Sequence, residues 1–206
     1  MRVKICGITN LDDAKLCCEL GADAIGFIFY EKSKRFIDYA SADEIINSLP
    51  AFITKVGVFV NERLETINNV SQKLGLNVVQ LHGDEKPSDI DKINLPVIKS
   101  FNINEHFDFL QLKYYGNASL LLDTYSKEQL GGTGISFDWS LIPPDLKNKI
   151  ILAGGVSAAN IEYIYNNIQP QAVDLSSSVE SSSGKKDRTK LKEFFKIFNQ
   201  LRCKTC

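Results

Sequence analysis

Short apolar runs alternate with amphipathic stretches from one end of this chain to the other, and that rhythm constrains the fold more than any single motif. The runs are Val3–Cys6, Ala24–Phe29, Lys55–Val60, Asn77–His82, Pro96–Phe101, Ser119–Asp123, Lys149–Ala153 and Ala172–Ser176. Runs of this length bounded by turn residues read as strands buried on both faces, which is the habit of parallel sheets. Between them, Asn10–Leu20 reads as a helix capped by Asn10, with Asp12 and Asp13 in its first turn. The capping-box pattern Ser41-Ala-Asp-Glu44 opens a helix to about Leu49, and Asn61 caps one to about Leu74. A short helix is expected near Ser88–Ile93, another over Ser157–Tyr165, and a last one from the cap Asp187 to about Leu201. Asn102–Tyr115 is weakly periodic and reads as loop with a turn of helix; Phe137–Ile142 is a short helix at best. Strict strand–helix alternation predicts an α/β fold, a single (β/α)8 TIM barrel over residues 1–206, with a doubly wound open sheet as the alternative. No linker or composition break suggests a second domain.

Charge narrows the function classes. The formal net charge is −1, so no basic excess points to nucleic acid or to an anionic membrane surface. No apolar run approaches the roughly 20 residues a membrane helix needs. The first residues enter a strand pattern without a signal-peptide core, and the five cysteines show no secreted spacing. A cytoplasmic protein is expected.

A parallel barrel keeps its chemistry at the carboxyl ends of its strands. Those ends carry Cys6-Gly7, His82-Gly83, Asp123, Gly154-Gly155 and Ser176-Ser177-Ser178, and the loop after the second strand carries Glu31, Lys32, Lys34 and Arg35. Gly154-Gly155 lets backbone N–H groups approach an anion, and the serines lead into Val179-Glu180, expected as a short extra helix. Loops after strands seven and eight, with such a helix, form the usual phosphate site of this fold. Cys6 reads either as a small buried hydrophobe or as a general base, since a thiol titrates near pH ~8.5. Asp123 ends the run Leu120–Asp123 and precedes a polar loop with Gly131, Gly132 and Gly134. It either caps a turn or, if burial raises its pKa, donates a proton. Arg35 is a solvated loop charge or a bidentate carboxylate clamp. His82 reads as a satisfied histidine under the loop, with a second base as the alternative. Cys203-x-x-Cys206 looks like half a zinc or redox site but lacks a partner pair and reads as a frayed tail.

Period-two alternation adds one more inference. Lys4 shares a face with Cys6, and Asp174 shares a face with Ser176. If Cys6 and Ser176 serve the barrel mouth, Lys4 and Asp174 point inward one layer lower. The first and eighth strands are neighbours in a closed barrel, so the two charges should meet as a buried pair.

Several segments together resemble the phosphoribosylanthranilate isomerase family. They are Lys4-Ile-Cys-Gly-Ile-Thr9, Gly26-Phe-Ile-Phe29 with Ser33 and Arg35, Gly57-Val-Phe-Val60, Gln80-Leu-His-Gly83, and Asp123. The series continues with Gly131-Gly-Thr-Gly134, Phe137-Asp-Trp139, Ala153-Gly-Gly155, Val173-Asp-Leu-Ser-Ser177 with Val179-Glu180, and Gly184-Lys-Lys-Asp187. The resemblance implies an isomerase performing the Amadori rearrangement of N-(5′-phosphoribosyl)anthranilate in tryptophan biosynthesis, without cofactor or metal. It implies Cys6 as general base, Asp123 as general acid, Arg35 on the substrate carboxylate, and Gly155, Ser176 and Ser177 on the phosphate. Two positions depart from the family pattern. Lys34 replaces the usual proline, which predicts a more mobile loop, and Ser178 replaces the usual glycine, which would be strained at positive φ. The alternatives are a non-catalytic phosphate-binding barrel and another phosphosugar isomerase. The expected partner is a small phosphorylated substrate, and the expected state a monomer, with a homodimer as the alternative.

Overall fold

A computed structural model describes residues 1–124 and 138–203. Its centre is a closed barrel of eight parallel strands in sequential order. They are β1 (Arg2–Cys6), β2 (Ala24–Ile28), β3 (Thr54–Phe59), β4 (Val78–Leu81), β5 (Val97–Ile103), β6 (Ser119–Thr124), β7 (Ile150–Leu152) and β8 (Ala172–Leu175). β1 pairs with both β2 and β8, so the sheet has no edge and the open-sheet alternative is excluded. Each strand falls on an apolar run of the sequence because both of its faces are covered. Outward residues such as Ile5, Phe27, Phe59 and Val173 pack under the helices, and Val56, Ile98, Leu121, Ile151 and Ala153 fill a separate cluster inside the barrel.

The helical layer is uneven. α1 (Leu11–Leu20) begins at the Asn10 cap, whose side chain accepts from the Asp13 N–H. α6 (Arg188–Cys203) is the longest and follows Asp187, whose carboxylate accepts from the N–H groups of Thr189 and Lys190. It buries Leu191, Phe194, Phe195, Phe198 and Leu201, a single face at helical spacing. Elsewhere the caps differ from expectation. α2 (Tyr39–Asn47) is capped by Asp38, which accepts from the Ser41 N–H, so the Ser41–Glu44 pattern lies inside the helix. α3 (Leu64–Lys73) starts without a side-chain cap, because Asn61 is occupied elsewhere: it sits at φ 51° and accepts from the Asp84 N–H. α4 (Pro87–Ile90) is one turn, and Phe109–Tyr115 and Trp139–Leu141 are 3-10 turns. The helix expected over Ser157–Tyr165 begins later, as α5 (Ile161–Tyr163), and continues as a π-helical turn over Ile164–Ile168. After β8 a 3-10 turn, Ser177–Val179, leads into a hairpin of β9 (Glu180–Ser182) and β10 (Lys185–Lys186) that the apolar pattern did not announce. No described helix is long and apolar enough to cross a membrane.

The inward pair expected from alternation is present. Lys4 and Asp174 are register partners across the β1–β8 seam, and Lys4 Nζ donates to Asp174 Oδ2 at 2.8 Å. The side chains are 4% and 9% exposed. Replacing either residue alone should cost roughly 3–5 kcal/mol, because the other charge stays buried without a partner. Lys4→Met with Asp174→Leu should cost much less. Denaturant unfolding of the two single variants and the double decides, and a double variant no more stable than the worse single would mean the charges do not act as a pair.

Candidate active site

One cleft opens at the carboxyl ends of the strands, and all six residues expected at the site line it: Cys6, Arg35, Asp123, Gly155, Ser176 and Ser177. They come from the ends of β1, β6 and β8 and the loops after β2, β7 and β8, so only barrel closure brings them together. The Gly131, Gly132, Gly134 and Phe137 positions, and Cys206, lie outside the described residues.

Asp123 is 6% exposed. Its Oδ1 accepts the Thr124 N–H at 2.8 Å. Burial pushes its carboxyl up to about 6, against the opposing Thr124 N–H. Gly154, at φ 72°, makes room for this arrangement, since a Cβ there would lie 3.0 Å from Asp123 Oδ1. On its other side stands His82, with Nε2 3.7 Å from Asp123 Oδ2. Burial, with Lys4 and Lys99 adding to it, holds the His82 imidazole down at about 4, so the ring is neutral around pH 7. With the Gln80 amide nitrogen 3.1 Å from Nδ1, the ring hydrogen belongs on Nε2, facing the carboxyl. His82 is therefore not a histidine satisfied under a loop. Among the described residues its Nε2 has no hydrogen-bond partner.

Cys6 is buried, and burial pushes its thiol up, with the nearby Lys4 and Lys186 ammonium groups pulling the other way. Lys186 reaches in from the β9–β10 hairpin. Its Nζ donates to the Cys6 carbonyl at 2.7 Å and to Glu180 Oε1 at 2.8 Å.

Arg35 is not a solvated loop charge. It is 8% exposed, and its Nε and Nη2 grip Glu180, with Nη2 2.7 Å from Oε2. The loop that carries it folds back on β2 through the Ser33 hydroxyl, which accepts the Arg35 N–H at 3.1 Å, and a bridge from Phe36 to Ile28. Glu180 thus serves two cations at once; the pull of Arg35 and Lys186 outweighs burial and holds its carboxyl below the usual range. The contacts of the guanidinium with Glu180 run through Nε and Nη2.

Gly155 and the serines line the same cleft. Asn160 holds the Gly155 loop, donating to the Gly155 carbonyl at 2.8 Å while accepting the Ser157 N–H at 2.9 Å. Ser176 Oγ is buried without a protein partner among the described residues. Ser178 carries no strain: among the described residues the only non-glycines at positive φ are Asn61 and Gln169. Among those residues no group of three His, Cys, Asp or Glu side chains is placed to hold a metal ion.

Sequence reasoning underweighted His82 and passed over Glu180, Lys186, Lys99 and Asn160. Lys99 is 2% exposed and donates to Glu85, which in turn accepts the N–H groups of Asn61 and Gly83 and so fixes the loop below His82. Buried charges in apolar runs were the available signal for Lys99 and Lys4. The partners of Glu180 lie 145 and 6 residues away, and nothing in the local pattern names them.

Residues 3–197 match the family model of N-(5′-phosphoribosyl)anthranilate isomerase. An isomerase of that name from Bacillus cereus is 46% identical over 197 residues, spanning 94% of this chain and 96% of its own length. The crystal structure of the Thermotoga maritima phosphoribosyl anthranilate isomerase superposes with a TM-score of 0.90 at 42% identity, over 97% of this chain and 99% of that one. Monomers engineered from that dimeric enzyme superpose at 0.86, with 40% identity and the same coverage. An isomerase solved with reduced 1-(o-carboxyphenylamino)-1-deoxyribulose 5-phosphate gives 0.86 at 41% identity, again over 97% and 99%.

The raised Asp123 carboxyl has a consequence for stability. The folded state holds its proton up to about pH 6, whereas an ordinary aspartate gives it up near 3.8, so this contribution is complete below about pH 4 and is lost as pH rises through about 6. Asp123→Asn removes that loss. The fall in unfolding free energy between pH 4 and pH 7 should be smaller in the variant by about 2 kcal/mol. Equal falls in the two proteins would show that the fold does not oppose ionisation at this position.

Proposed function

The chain belongs to the N-(5′-phosphoribosyl)anthranilate isomerase family, and from that membership we propose which of its residues carry the reaction. The enzyme performs the Amadori rearrangement of N-(5′-phosphoribosyl)anthranilate to 1-(2-carboxyphenylamino)-1-deoxyribulose 5-phosphate in tryptophan biosynthesis. The observation that carries the assignment is the placement of Cys6 and Asp123 at two strand ends facing one cleft, with the acid's pKa raised to about 6. A carboxyl tuned upward by burial suits a general acid near neutral pH.

Asp123 gives its proton to the furanose ring oxygen. The C1′–O bond breaks as the anthranilate nitrogen lone pair forms the iminium. The Cys6 thiolate then takes the C2′ proton, and the C–H electron pair becomes the C1′=C2′ bond while the nitrogen recovers its lone pair. The resulting enolamine tautomerises to the ketone. Cys6 has gained the proton that Asp123 lost, and exchange with solvent through the cleft restores both. The iminium is the electron sink, so these two residues complete the proton balance. His82, neutral and presenting Nε2–H, supports the Asp123 carboxylate once its proton has left.

Arg35 Nη1 would hold the substrate carboxylate, with Glu180 fixing the plane of the guanidinium from its other edge. Gly155, Ser176 and Ser177 would hold the phosphate. The ligand bound to the related isomerase carries both groups, a carboxyphenyl at one end and a phosphate at the other. Residues 1–206 act in this reading as one catalytic domain in the cytoplasm. A monomer suffices for the chemistry, because every assigned residue lies on one chain. A homodimer is the second arrangement, favoured by the dimeric Thermotoga maritima relative.

Cys6→Ser and Asp123→Asn should each lower turnover by roughly 10² to 10⁴, the usual worth of a positioned acid or base. Loss of phosphoribosylanthranilate fluorescence measures it, and near-normal turnover in a folded variant removes that residue from the mechanism.

Recognition has its own test. Arg35→Ala should raise KM strongly while leaving kcat less affected, because a charge-assisted contact is lost in both ground and transition states. A change in KM below about twofold would leave Arg35 as a purely structural partner of Glu180.

A further inference from the structure

Cys6 is a thiol in surroundings that oppose its ionisation, and β1 itself carries the countermeasure. Lys4 and Cys6 stand two residues apart on that strand, so both side chains point into the barrel. Facing them on β2 is Gly26, the register partner of Cys6. A Cβ on Gly26 would lie 2.9 Å from Cys6 Sγ and 3.2 Å from Lys4 Cε. The sulfur and the end of the lysine chain therefore border the same small space, which exists because residue 26 has no side chain. Asp174 fixes the other side of the ammonium, at 2.8 Å.

The charges near the sulfur among the described residues can be placed. Lys4 comes from β1, Asp174 from β8 and Lys186 from β10, and these are the charges that bear on the thiol. Asp123 from β6, His82 after β4 and Arg35 after β2 line the same cleft. Arg35 is neutralised by Glu180. Lys186 is saturated: its three donors meet the Cys6 carbonyl, the Ser176 carbonyl and Glu180. Lys4 has one hydrogen-bond acceptor, Asp174, among the described residues. An ammonium has three donors, so two remain beyond that contact. Its charge survives burial, since Asp174 and Cys6 together outweigh desolvation and hold Lys4 above its ordinary value.

We propose that Lys4 is a positioning residue for Cys6: its ammonium, held by Asp174, is the counter-ion of the thiolate that accepts the substrate's C2′ proton. The proposal rests on Cys6 being the general base. The thiol proton leaves to solvent through the cleft, the negative charge on sulfur faces the ammonium, and the thiolate then forms an S–H bond with the C2′ proton. Lys4 neither gains nor loses a proton in the cycle. The ion pair of Lys4 and Asp174 thus serves the chemistry as well as the barrel interior.

The test reads the thiol directly. In a background with Cys18, Cys203 and Cys206 replaced by serine, alkylation of Cys6 by iodoacetamide is followed against pH by peptide mass. Cys17 stays silent because burial pushes its thiol up to about 12. Lys4→Met should move the alkylation midpoint up by about one pH unit or more, and lower kcat about tenfold with little change in KM. Lys4→Arg should restore most of the midpoint. Lys4→Met with Asp174→Leu leaves no unpaired charge; because Asp174 also pushes the thiol up, the double variant should keep part of the raised midpoint while regaining stability. An unmoved midpoint in Lys4→Met overturns the proposal; if that variant does not fold, an unmoved midpoint in the double variant does so. Failure of the underlying reading looks different: Cys6→Ser would keep its turnover, whatever the midpoint does in the lysine variants.

Discussion

The β1–β8 seam is the contact on which everything else depends. Eight parallel strands form a barrel only if the first and last pair, and here Arg2 to Ile5 run in register with Ala172 to Leu175. Closure removes the sheet edges that an open parallel sheet would expose. It also sets the general-base candidate Cys6 beside the serine loop after β8, although 170 residues separate Lys4 from Asp174 in the chain. The seam is marked by an ion pair rather than an apolar contact. A buried pair is weak evidence for stability on its own. Its position one layer below Cys6 gives a functional reason for a charge where Val or Ile would pack more cheaply.

Charge compensation organises the cleft above the seam. Burial makes each of these side chains costly, so each charged group has a specific opposite: Lys4 with Asp174, Lys99 with Glu85, and Arg35 and Lys186 sharing Glu180. Asp123 is the exception. Among the described residues no cation touches it, its polar neighbours being the Thr124 N–H and a neutral imidazole, and burial dominates its titration. Paired charges around a buried carboxyl without a cation are how a single fold raises the pKa of one acid alone.

The framework also fixes geometry. The β9–β10 hairpin reaches back over the start of the chain, where Lys186 holds the Cys6 carbonyl and its N–H donates to Asp13 in α1 at 2.8 Å. Glu180 at the base of that hairpin orients Arg35. The segment after β8 thus links three parts of the cleft: the serines, Cys6 and the guanidinium. Side chains held by such secondary contacts lose less freedom when a ligand arrives.

The sequence by itself determined the strands, their alternation with helices and the identity of the groups at the strand ends, because a strand buried on both faces writes its whole length as apolar residues. Alternation even placed Lys4 against Asp174 before any coordinates, since a period of two leaves no choice of face. Helix starts were less legible. Asp38 rather than Ser41 caps α2, and Asn61 is drawn away from α3 by Asp84, because a polar side chain serves whichever backbone group the fold brings to it. What only the tertiary structure decided is which charges are neutralised and which are left to act. The sequence left Arg35 open between a solvated loop charge and a carboxylate clamp, and the structure pairs it with Glu180; it favoured His82 as a satisfied histidine under the loop, and the structure turns its Nε2 toward Asp123. Burial and partnership depend on neighbours from distant strands, and a local pattern carries no information about them.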